Sequence, residues 1–386
     1  MRSKKILILT SVGGFVTQFE LENIKILQEL GYTVYHATDL ENPSYPMHRE
    51  ILEQMGVQLY HVPIAKSPYL FSSNWKAYQE LENIIEREQI EVIHCHNPVG
   101  GVLGRLLGFR FEKKGVKVIY TAHGFHFYAG APLKNRLFFY PVEKFLARAT
   151  DVLITINRED YENGKKMHLR PGGQVYQIPG VGIREERLYE LPNANVEIRK
   201  RYGIPMEAFH MVSVGELNQN KNHAVVIRAI ARMKELDIYY TICGEGMERE
   251  HLQELIKSLG LEKRVFLAGY QEEIAPYLQS GDVFVFPSIR EGLGMAALEA
   301  MAMGLPVIAT KNRGTLVYIK DGENGFFCPW NNSMEFAKAI MTLYGNPRKR
   351  SEMGNCAKET TATFKVEETV KKMKEIYQKL LCEDSK

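Results

Sequence analysis

Two glutamates and several glycines lie close together in the stretch 284–310, which reads FVFPSIREGLGMAALEAMAMGLPVIAT. An apolar strand is predicted to end before a loop carrying Glu291 and Gly292, and a helix of small residues to begin near Gly294. Glycines let such a loop turn tightly, and the free N–H groups at the start of a helix favour phosphate. Glu291 and Glu299 flank this anion site, and carboxylates accept hydrogen bonds from sugar or ribose hydroxyls.

Further polar side chains follow other predicted strands. Lys221, in VGELNQNKNH, is a point charge placed where it could neutralise a diphosphate, although a surface lysine is the ordinary interpretation. His123 and His126 flank a glycine in YTAHGFHFYAG, directly after a predicted strand. Two histidines in one strand-end loop favour a functional role over simple burial.

His94 and His96, in HCHNP, alternate on one face of a predicted strand and raise the question of a metal ion. A third ligand at a suitable spacing is missing from the sequence, and so is a D-x-D pair. We therefore predict no metal site and no cofactor.

Two glycine turns complete the candidate set. Gly13 and Gly14, in SVGGFVT, follow the first strand, but the G-x-G-x-x-G fingerprint of dinucleotide binding is absent. Gly244 and Gly246, in ICGEGMERE, follow a strand of the second half and allow a ligand to approach the main chain closely.

The chain has 386 residues, a formal net charge of +3 and 25% charged residues, which is typical of a globular protein of two domains. This charge balance gives no case for a nucleic-acid partner. The 5 cysteines are scattered without C-x-x-C spacing, which favours reduced thiols in a cytoplasm. The first apolar run is too short for a signal sequence, and no stretch approaches the length of a membrane span. The oligomeric state stays open.

Strands and amphipathic helices alternate through the chain, and the alternation restarts after Tyr202. Such a pattern predicts two parallel sheets with helices on both faces, and therefore two Rossmann-like domains with a cleft between them. Breaks in the pattern at PGVG and LPNAN place the boundary between residues 180 and 202. We assign residues 1–185 to the first domain and 186–365 to the second, with a last amphipathic helix over Val366 to Leu381.

Basic and aromatic residues are interleaved in two helical stretches of the first domain, RLLGFRFEKKGVK and LKNRLFFYPVEKFLARA. This mixture suits the anionic inner face of a cytoplasmic membrane, although the aromatic rings could equally pack against the sheet. The residues concerned are Arg105, Phe109, Arg110, Lys113, Lys114, Lys134, Arg136, Phe138, Phe139, Tyr140, Lys144, Phe145 and Arg148.

Glu291 and Glu299, separated by seven residues and followed by GLPVIAT, resemble the EX7E signature of retaining GT-B glycosyltransferases of family 4. The resemblance extends over nearly the whole chain and is more specific in the second half. It implies the GT-B fold, in which the first domain binds the acceptor, the second binds the donor, and a C-terminal helix, here within 366–386, crosses back to the first domain. It also implies that His96 and His126 lie on the acceptor side.

The resemblance also implies roles for individual residues. Lys221 and the N–H groups from Gly292 to Met295 would hold the donor diphosphate, Glu291 and His123 the transferred sugar, and Glu299 the ribose. Gly13 and Gly14 match a loop that faces the donor, and Tyr270 matches a segment that holds the base. The full donor-binding set is Gly13, Gly14, Glu216, Gly244, Tyr270, Arg290, Gly292, Leu293, Gly294, Met295 and Glu299.

One position departs from the family pattern. Relatives commonly carry an arginine where this sequence has Glu216, which puts an arginine contact to the diphosphate in doubt. Either Arg290 supplies the missing charge, or Glu216 binds a donor hydroxyl; the sequence leaves both open.

Together these features predict a retaining glycosyltransferase that moves a sugar from a nucleotide-diphosphate donor, preferably a UDP-sugar, to an acceptor hydroxyl without a metal. The acceptor implied is a lipid-linked saccharide in surface polysaccharide synthesis. Two alternatives remain: a UDP-sugar epimerase on the same fold, and a catalytically silent GT-B module that acts as an assembly partner.

Overall fold

A computed structural model describes residues 4–43, 46–188 and 191–382. The chain forms two compact units. Unit 1 contains Met1–Val181 together with Glu367–Lys386, and unit 2 contains Gly182–Val366. The junction after Val181 lies a few residues earlier in the chain than the boundary we placed from sequence.

Unit 1 is built on a 7-stranded sheet in the order β3-β2-β1-β4-β5-β6-β7, with parallel pairing throughout. The strands are β1 Lys4–Leu9, β2 Tyr32–Thr38, β3 Gln58–His61, β4 Val92–His96, β5 Lys117–Ala122, β6 Val152–Thr155 and β7 Gln174–Gln177. The helices are α1 Phe15–Phe19, α2 Leu21–Glu29, α3 Arg49–Gln54, α4 Phe71–Glu88, α5 Pro98–Phe111, α6 Leu133–Leu146 and α7 Arg158–Gly164. The strand order reverses direction between β1 and β4, as in a Rossmann fold.

Unit 2 has a 6-stranded parallel sheet in the order β10-β9-β8-β11-β12-β13, which reverses between β8 and β11. Its strands are β8 Phe209–Val214, β9 Ile238–Cys243, β10 Val265–Gly269, β11 Val283–Phe286, β12 Val307–Thr310 and β13 Gly325–Cys328. Its helices are α8 Ala194–Tyr202, α9 His223–Ile230, α10 Arg249–Ser258, α11 Ala275–Ser280, α12 Met295–Ala302, α13 Ser333–Tyr344 and α14 Pro347–Thr360.

The strands are apolar because helices cover the central strands of each sheet. In β1 the residues from Ile6 to Leu9 are almost completely buried, and so are all four residues of β11. Strands buried on both faces read as continuous apolar runs, which is why the sequence predicted the two sheets correctly.

The C-terminal helix α15, Val366–Cys382, belongs largely to unit 1, as the predicted crossover helix requires. The hydroxyl of Thr369 donates to the carbonyl oxygen of Gly180 at 3.1 Å, and the hydroxyl of Tyr377 lies 3.0 Å from Nδ1 of His94. The helix is thus fastened to unit 1 by buried polar contacts as well as by its apolar face.

Some elements differ from the sequence predictions. We predicted only the last part of α5, within the helical stretch that begins at Arg105, and missed its first turns, where glycines lower helix propensity. The structure explains those glycines: a Cβ at Gly104 would lie 2.7 Å from Cβ of Cys95, and one at Gly108 would lie 2.5 Å from a methyl carbon of Val118. Helix α8 forms in a segment that we expected to be irregular. Helices α3 and α13 and strand β13 were also missed.

Candidate active site

The loop between β11 and α12 is shaped by Gly294, which has a φ of +93° and stands at the N-cap position of the helix. A Cβ at Gly294 would lie only 2.6 Å from Cε1 of Phe286, so both the backbone angle and the available space require glycine. No side chain caps α12 within the described residues. Its first N–H groups are therefore not satisfied by a side-chain cap, which is the arrangement that favours an anion.

Three asparagines hold this loop, and the sequence analysis assigned none of them a role. The side chain of Asn220 donates to the carbonyl oxygen of Arg290 at 2.9 Å and accepts from its N–H at 3.1 Å. Asn222 donates to the carbonyl oxygen of Pro287, and Asn312 to that of Ser288. The asparagine-rich run NQNKN was the available signal, because asparagine amides commonly bridge loop backbones.

Lys221 and Glu291 form an ion pair, with Nζ of Lys221 2.6 Å from Oε1 of Glu291. Lys221 follows β8 and Glu291 follows β11, so the pair lies at the reversal of strand order in unit 2. Open parallel sheets bind ligands at this point, beyond the carboxyl ends of the strands. Nζ of Lys221 also lies 5.1 Å from the ring centre of Phe286, which helps to fix the ammonium group.

Glu299 lies in the second turn of α12 and is partly buried. Burial raises the pKa of Glu299 to about 7, and the nearby guanidinium of Arg187 opposes this effect. A carboxylate with a raised pKa at a ligand-binding loop is a candidate functional group, because a ligand can supply the hydrogen bonds that it lacks.

Relatives commonly carry an arginine at position 216, and the structure adds Arg313 to Arg290 as a candidate for that positive charge. Glu216 is exposed, and its carboxylate accepts a hydrogen bond from Asn218 at 2.9 Å. The guanidinium of Arg290 forms no ion pair among the described residues, although its backbone is held by Asn220. Nε of Arg313 donates to the main-chain carbonyl oxygen of Glu291 at 3.3 Å, so a second arginine contacts the loop that carries Glu291.

The glycine turn after β9 has a structural explanation of its own. Gly244 has a φ of +153°, and a Cβ there would lie 1.9 Å from the carbonyl oxygen of Gly215. Its N–H donates to the carbonyl oxygen of Gly269 at 2.7 Å. Close contact with the loop after β8 therefore already requires a glycine here, and the approach of a ligand to Gly244 stays a prediction. Tyr270, next along the chain, is half exposed.

Leu293 is buried, so its side chain cannot meet a ligand and only its main chain could. In unit 1, a Cβ at Gly13 would lie 2.6 Å from the carbonyl oxygen of Asp39, so packing explains this glycine too. Gly14 has a φ of +82° and stands at the N-cap position of α1. Gly14 follows β1 and Gly294 follows β11, so each glycine precedes a helix beside the reversal point of its own sheet, although on opposite sides of that point.

Two of the predicted histidines meet in unit 1. Nδ1 of His96 lies 3.2 Å from Nε2 of His123 and 3.5 Å from Oε1 of Glu20, a residue that the sequence analysis did not consider. His96 is completely buried, which leaves it no surface for the direct acceptor contact that we predicted, whereas His123 is partly exposed. His126 lies apart from this pair, with its ring stacked 4.6 Å from that of Phe139.

The donor atoms of Glu20, His96 and His123 lie within 4.8 Å of one another, a spacing that could hold a metal ion. The sequence analysis rejected a metal because His94 and His96 lacked a third ligand. The structure shows a different grouping: His94 is held by Thr121 and Tyr377, while Glu20 joins His96. That no metal is needed stays a prediction.

The basic and aromatic surface of unit 1 is smaller than we predicted. Arg105 is buried, with NH1 2.6 Å from Glu143 and its guanidinium 3.9 Å from the ring centre of Tyr120, so it is not a surface residue. Arg110 and Lys114 are paired with Glu82 and Glu86 on α4. Apart from the exposed Lys113 and Arg148, most of what remains lies on α6, where large apolar side chains are exposed: Leu133, Leu137, Phe138, Val142 and Phe145.

The described part of the chain contains no helix that is both long enough and apolar enough to cross a bilayer. The cysteines at positions 95, 243, 328 and 356 are all free thiols.

Two Rossmann-type units in one chain give the architecture of the GT-B fold. Residues 195–360 match the family described as "Glycosyl transferases group 1", and residues 14–174 match the "Glycosyl transferase 4-like domain". A Bacillus subtilis (strain 168) protein named "Putative glycosyltransferase EpsD" is 38% identical to this chain. The match covers 100% of this chain and 99% of the length of EpsD. The chain therefore belongs to glycosyltransferase family 4, and it is an enzyme of that class.

Other similar proteins agree with this classification. An Escherichia coli protein named "UDP-Gal:alpha-D-GlcNAc-diphosphoundecaprenol alpha-1,3-galactosyltransferase" is 27% identical over 83% of this chain and 84% of its own length. Sucrose-phosphate synthase from Thermosynechococcus elongatus has a TM-score of 0.79, covering 98% of this chain and 99% of its own at 21% identity. Anabaena Alr3699/HepE, solved in complex with UDP-glucose, has a TM-score of 0.78 at 19% identity and covers 97% and 99% of the two chains.

Proposed function

We propose that this glycosyltransferase moves a sugar from a UDP-sugar to an acceptor hydroxyl, with retention of configuration at the anomeric carbon. The observation that carries the proposal is the pairing of Lys221 with Glu291 beside the N-terminus of α12. A cation, an N-terminal helix dipole and a carboxylate then lie together at the reversal point of one sheet, where a sugar diphosphate has groups to match all of them. The E. coli relative named for UDP-Gal supports uridine as the base.

The main chemical requirement of the transfer is to stabilise the leaving group. As the bond between the anomeric carbon and the diphosphate oxygen breaks, negative charge develops on the diphosphate. Lys221 and the N–H groups from Gly292 to Met295 stabilise that charge, so no metal is needed at the diphosphate. One such preorganised donor typically contributes about 10²–10³ in kcat.

Two carboxylates orient the donor. Glu291 accepts hydrogen bonds from hydroxyls of the transferred sugar, and Glu299 accepts them from the ribose. In the absence of donor, Glu291 balances the charge of Lys221 and holds the ammonium group in place. Arg290 and Arg313 are the candidates for the cation that the family pattern places at position 216. His123 of unit 1 is the candidate for a further contact to the transferred sugar.

The transfer itself needs no covalent intermediate. The acceptor oxygen bonds to the anomeric carbon on the face that the diphosphate leaves, and the acceptor proton passes to a phosphate oxygen of the departing UDP. Atoms and charge balance without an added base, because the diphosphate gains the proton as it gains the bonding electrons.

Unit 1 is the proposed acceptor side, and a lipid-linked saccharide of surface polysaccharide synthesis is the proposed acceptor. The E. coli relative is named for an acceptor linked to diphosphoundecaprenol. The exposed apolar side chains of α6 alternate with Lys134, Arg136 and Lys144, which form no ion pair among the described residues. A surface of this kind binds anionic lipid, so we propose peripheral association with the inner face of the cytoplasmic membrane.

A thermal-shift panel with UDP-, GDP- and ADP-glucose tests the donor class, because a ligand that binds the folded protein raises its melting temperature by mass action. We expect stabilisation by the uridine nucleotide. Stabilisation by another base alone would overturn the UDP assignment, and no response to any nucleotide would overturn the donor site.

Product analysis then separates the remaining alternatives. An epimerase would interconvert nucleotide sugars without an acceptor, whereas a transferase releases UDP only as the sugar appears on the acceptor. A silent assembly partner would be indicated if Glu291→Ala left the cellular glycan unchanged while deletion of the protein abolished it. The configuration of the new glycosidic bond, read by NMR, tests retention.

A further inference from the structure

Large apolar side chains are exposed at the start of α4, away from the candidate active site of unit 2 and from α6. Tyr69, Leu70, Phe71 and Trp75 are 76%, 54%, 75% and 62% exposed. Neighbouring exposed apolar side chains of this size mark an interaction surface in a folded protein. We call residues 66–76 the aromatic segment.

The aromatic segment has a defined conformation. The side chain of Asn74 accepts the N–H of Ala65 at 3.2 Å and donates to the carbonyl oxygen of Ser67 at 3.0 Å, which ties the loop to the first turn of α4. The ring of Trp75 stacks on that of Tyr78, with centres 5.5 Å apart and planes 8° from parallel. Tyr78 in turn packs against the core of unit 1. The exposed rings are therefore held at the surface by contacts with the rest of the unit.

The aromatic segment and the exposed face of α6 lie at the same edge of the unit 1 sheet. Helix α4 follows β3 and α6 follows β5, so in this parallel sheet both helices begin at the carboxyl ends of the strands. Helix α5 packs between them: its Arg110 pairs with Glu82 of α4, and its Phe109 contacts Phe145 of α6. The three helices thus cover one face of the sheet, with their first turns at one edge.

Both surfaces carry positive charge and little negative charge. Residues 54–79 and 113–142, which contain them, include no aspartate or glutamate, and the acidic residues of α4 all lie in its second half. The exposed side chains of Lys66 and Lys76 flank the aromatic rings. Glu159 of α7 approaches the second of these ranges, where it accepts a backbone N–H at 2.6 Å. The two surfaces are therefore suited to an anionic partner.

An anionic bilayer is the partner that this combination of side chains fits. Tryptophan and tyrosine rings favour the head-group region of a bilayer, and lysines are attracted to its anionic lipids. Leucine and phenylalanine gain free energy when they leave water for the acyl chains. A glycan chain could stack on the rings of Tyr69 and Trp75, but it offers no comparable apolar environment to Leu70.

We propose that the aromatic segment is a second membrane-contacting element, which inserts together with the exposed face of α6 into the surface of an anionic bilayer. The bilayer then lies along the carboxyl edge of the unit 1 sheet, where β4 and β5 end and His123 follows. The head group of a lipid-linked acceptor is presented at this same edge. The inference takes the membrane and the lipid-linked acceptor from the proposed function, but it does not depend on the donor.

The two tryptophans of the chain allow a direct test, because Trp75 lies in the aromatic segment and Trp330 lies in unit 2. The probe is a vesicle of equal parts phosphatidylglycerol and phosphatidylcholine. In Trp330→Phe, the fluorescence of Trp75 should shift to shorter wavelength when vesicles are added, and lipid brominated on its acyl chains should quench it. In Trp75→Phe, the fluorescence of the remaining Trp330 should show neither effect.

Substitutions beside the reporter test the same contact without removing it. Leu70→Ser with Phe71→Ser, in the Trp330→Phe protein, should lower the apparent affinity for these vesicles at least tenfold, because burial of one large apolar side chain already contributes about that factor. The control is Met334→Ser with Met341→Ser, which removes exposed apolar side chains from α13 of unit 2 and should leave the affinity unchanged. Melting curves check that each variant keeps its fold.

Charge reversal tests the electrostatic part of the contact. Lys66→Glu with Lys76→Glu should lower the affinity for the anionic vesicles at least tenfold, since each basic residue near an anionic surface contributes to binding. The same variant should bind pure phosphatidylcholine vesicles as weakly as the wild-type protein does. Equal loss on both kinds of vesicle would contradict the attraction to anionic lipid.

Two other results would overturn the proposal. In one, Trp75 shows no shift and no quenching although the protein still sediments with the anionic vesicles, which would leave α6 as the contact. In the other, sedimentation velocity shows a dimer without lipid that Leu70→Ser with Phe71→Ser dissociates, because the segment would then join two copies of the chain. A protein that responds to no nucleotide would contradict the proposed donor site, whereas the fluorescence of Trp75 would still decide the membrane contact.

Discussion

Nζ of Lys221 lies 2.6 Å from Oε1 of Glu291, although 70 positions separate the two residues in the sequence. The pair means that the positive charge offered to a diphosphate is already partly neutralised before a donor arrives. Each of the two side chains is mostly buried, so solvent screens this interaction only in part. Affinity for the nucleotide and rate of transfer should therefore respond differently to changes at these positions.

The Glu291→Gln substitution separates the effect of Glu291 on nucleotide affinity from its effect on the rate of transfer. Removing the negative charge frees Lys221 for the diphosphate, so the affinity for UDP should rise about threefold, while loss of the sugar contact should lower kcat about 10²–10³-fold. Calorimetry with UDP and initial rates with donor measure the two effects. The control is Glu323→Gln, which removes an exposed partner of Lys320. A variant with normal turnover would contradict the role of Glu291.

Lys221→Ala should weaken UDP binding at least tenfold and lower kcat about 10²–10³-fold, since the leaving group loses its cation. Lys221→Arg keeps the charge and should restore part of the binding. Lys320→Ala, an exposed lysine of the same unit, should leave both values unchanged. Unaltered UDP affinity in Lys221→Ala would show that the diphosphate lies elsewhere.

Glu299 predicts a pH dependence of stability. Its pKa is raised to about 7 in the folded protein, so the folded state holds this proton more tightly than the unfolded state does. The stabilisation from the protonated form is fully present below the ordinary carboxyl pKa and is lost as the pH rises through about 7. Each pKa unit corresponds to about 1.4 kcal/mol, so the loss is at most roughly 3 kcal/mol. Glu299→Gln should flatten the dependence in chemical denaturation measured from pH 5 to 8.

The same ionisation should affect donor binding. If the carboxylate accepts from the ribose, the affinity for UDP-glucose should increase between pH 6 and 8 in the wild-type protein. The affinity of Glu299→Gln should not vary over that range. Parallel curves for the two proteins would argue against the ribose contact.

Gly294→Ala should damage the anion site. A left-handed backbone costs a non-glycine residue about 1–2 kcal/mol, and the new methyl group would also overlap the ring of Phe286. Gly304→Ala is the matched control, because Gly304 has a φ of +80° but no neighbouring atom within 4 Å of the place that a methyl group would take. We expect both variants to melt lower than wild type, with loss of UDP stabilisation confined to Gly294→Ala.

The exposed face of α6 predicts binding to lipid. Leu137 and Phe138 are 65% and 73% exposed. Their double replacement by serine should abolish co-sedimentation with vesicles containing anionic phosphatidylglycerol and leave UDP binding intact. Val196→Ser, at an exposed apolar position of unit 2, is the control. Binding to neutral vesicles that is equal to binding to anionic ones would contradict a role for the basic residues.

In unit 2, the sequence predicted the position of Gly294, a residue that acts through its backbone. Gly294 was assigned to a helix N-terminus from its place in the chain, and the structure puts it there with a positive φ. Gly244 was placed in a turn for a ligand, and the carbonyl oxygen of Gly215 already requires a glycine there. The local sequence pattern predicts that a glycine is needed. Only the packing of distant segments shows which neighbouring atoms leave no space for a side chain.

His94 and His96 also show what sequence spacing can and cannot predict. The spacing of His94 and His96 predicted correctly that they share a strand face, with ring centres 4.2 Å apart. Nothing in their spacing could reveal that one is held by Tyr377 of the last helix and the other by Glu20, because each partner comes from a different element.

By itself the sequence determined the two alternating strand and helix patterns and the loop of glycines between two glutamates, since periodicity and turn chemistry are local properties. The crossover role of the last helix came from the family resemblance. Only the tertiary structure decided that Lys221 meets Glu291, that asparagines hold the anion loop, that Arg105 is buried, and that Glu20 reaches His96. Those contacts arise where parallel strands end side by side, and which strands are neighbours is a property of the folded sheet rather than of any stretch of sequence.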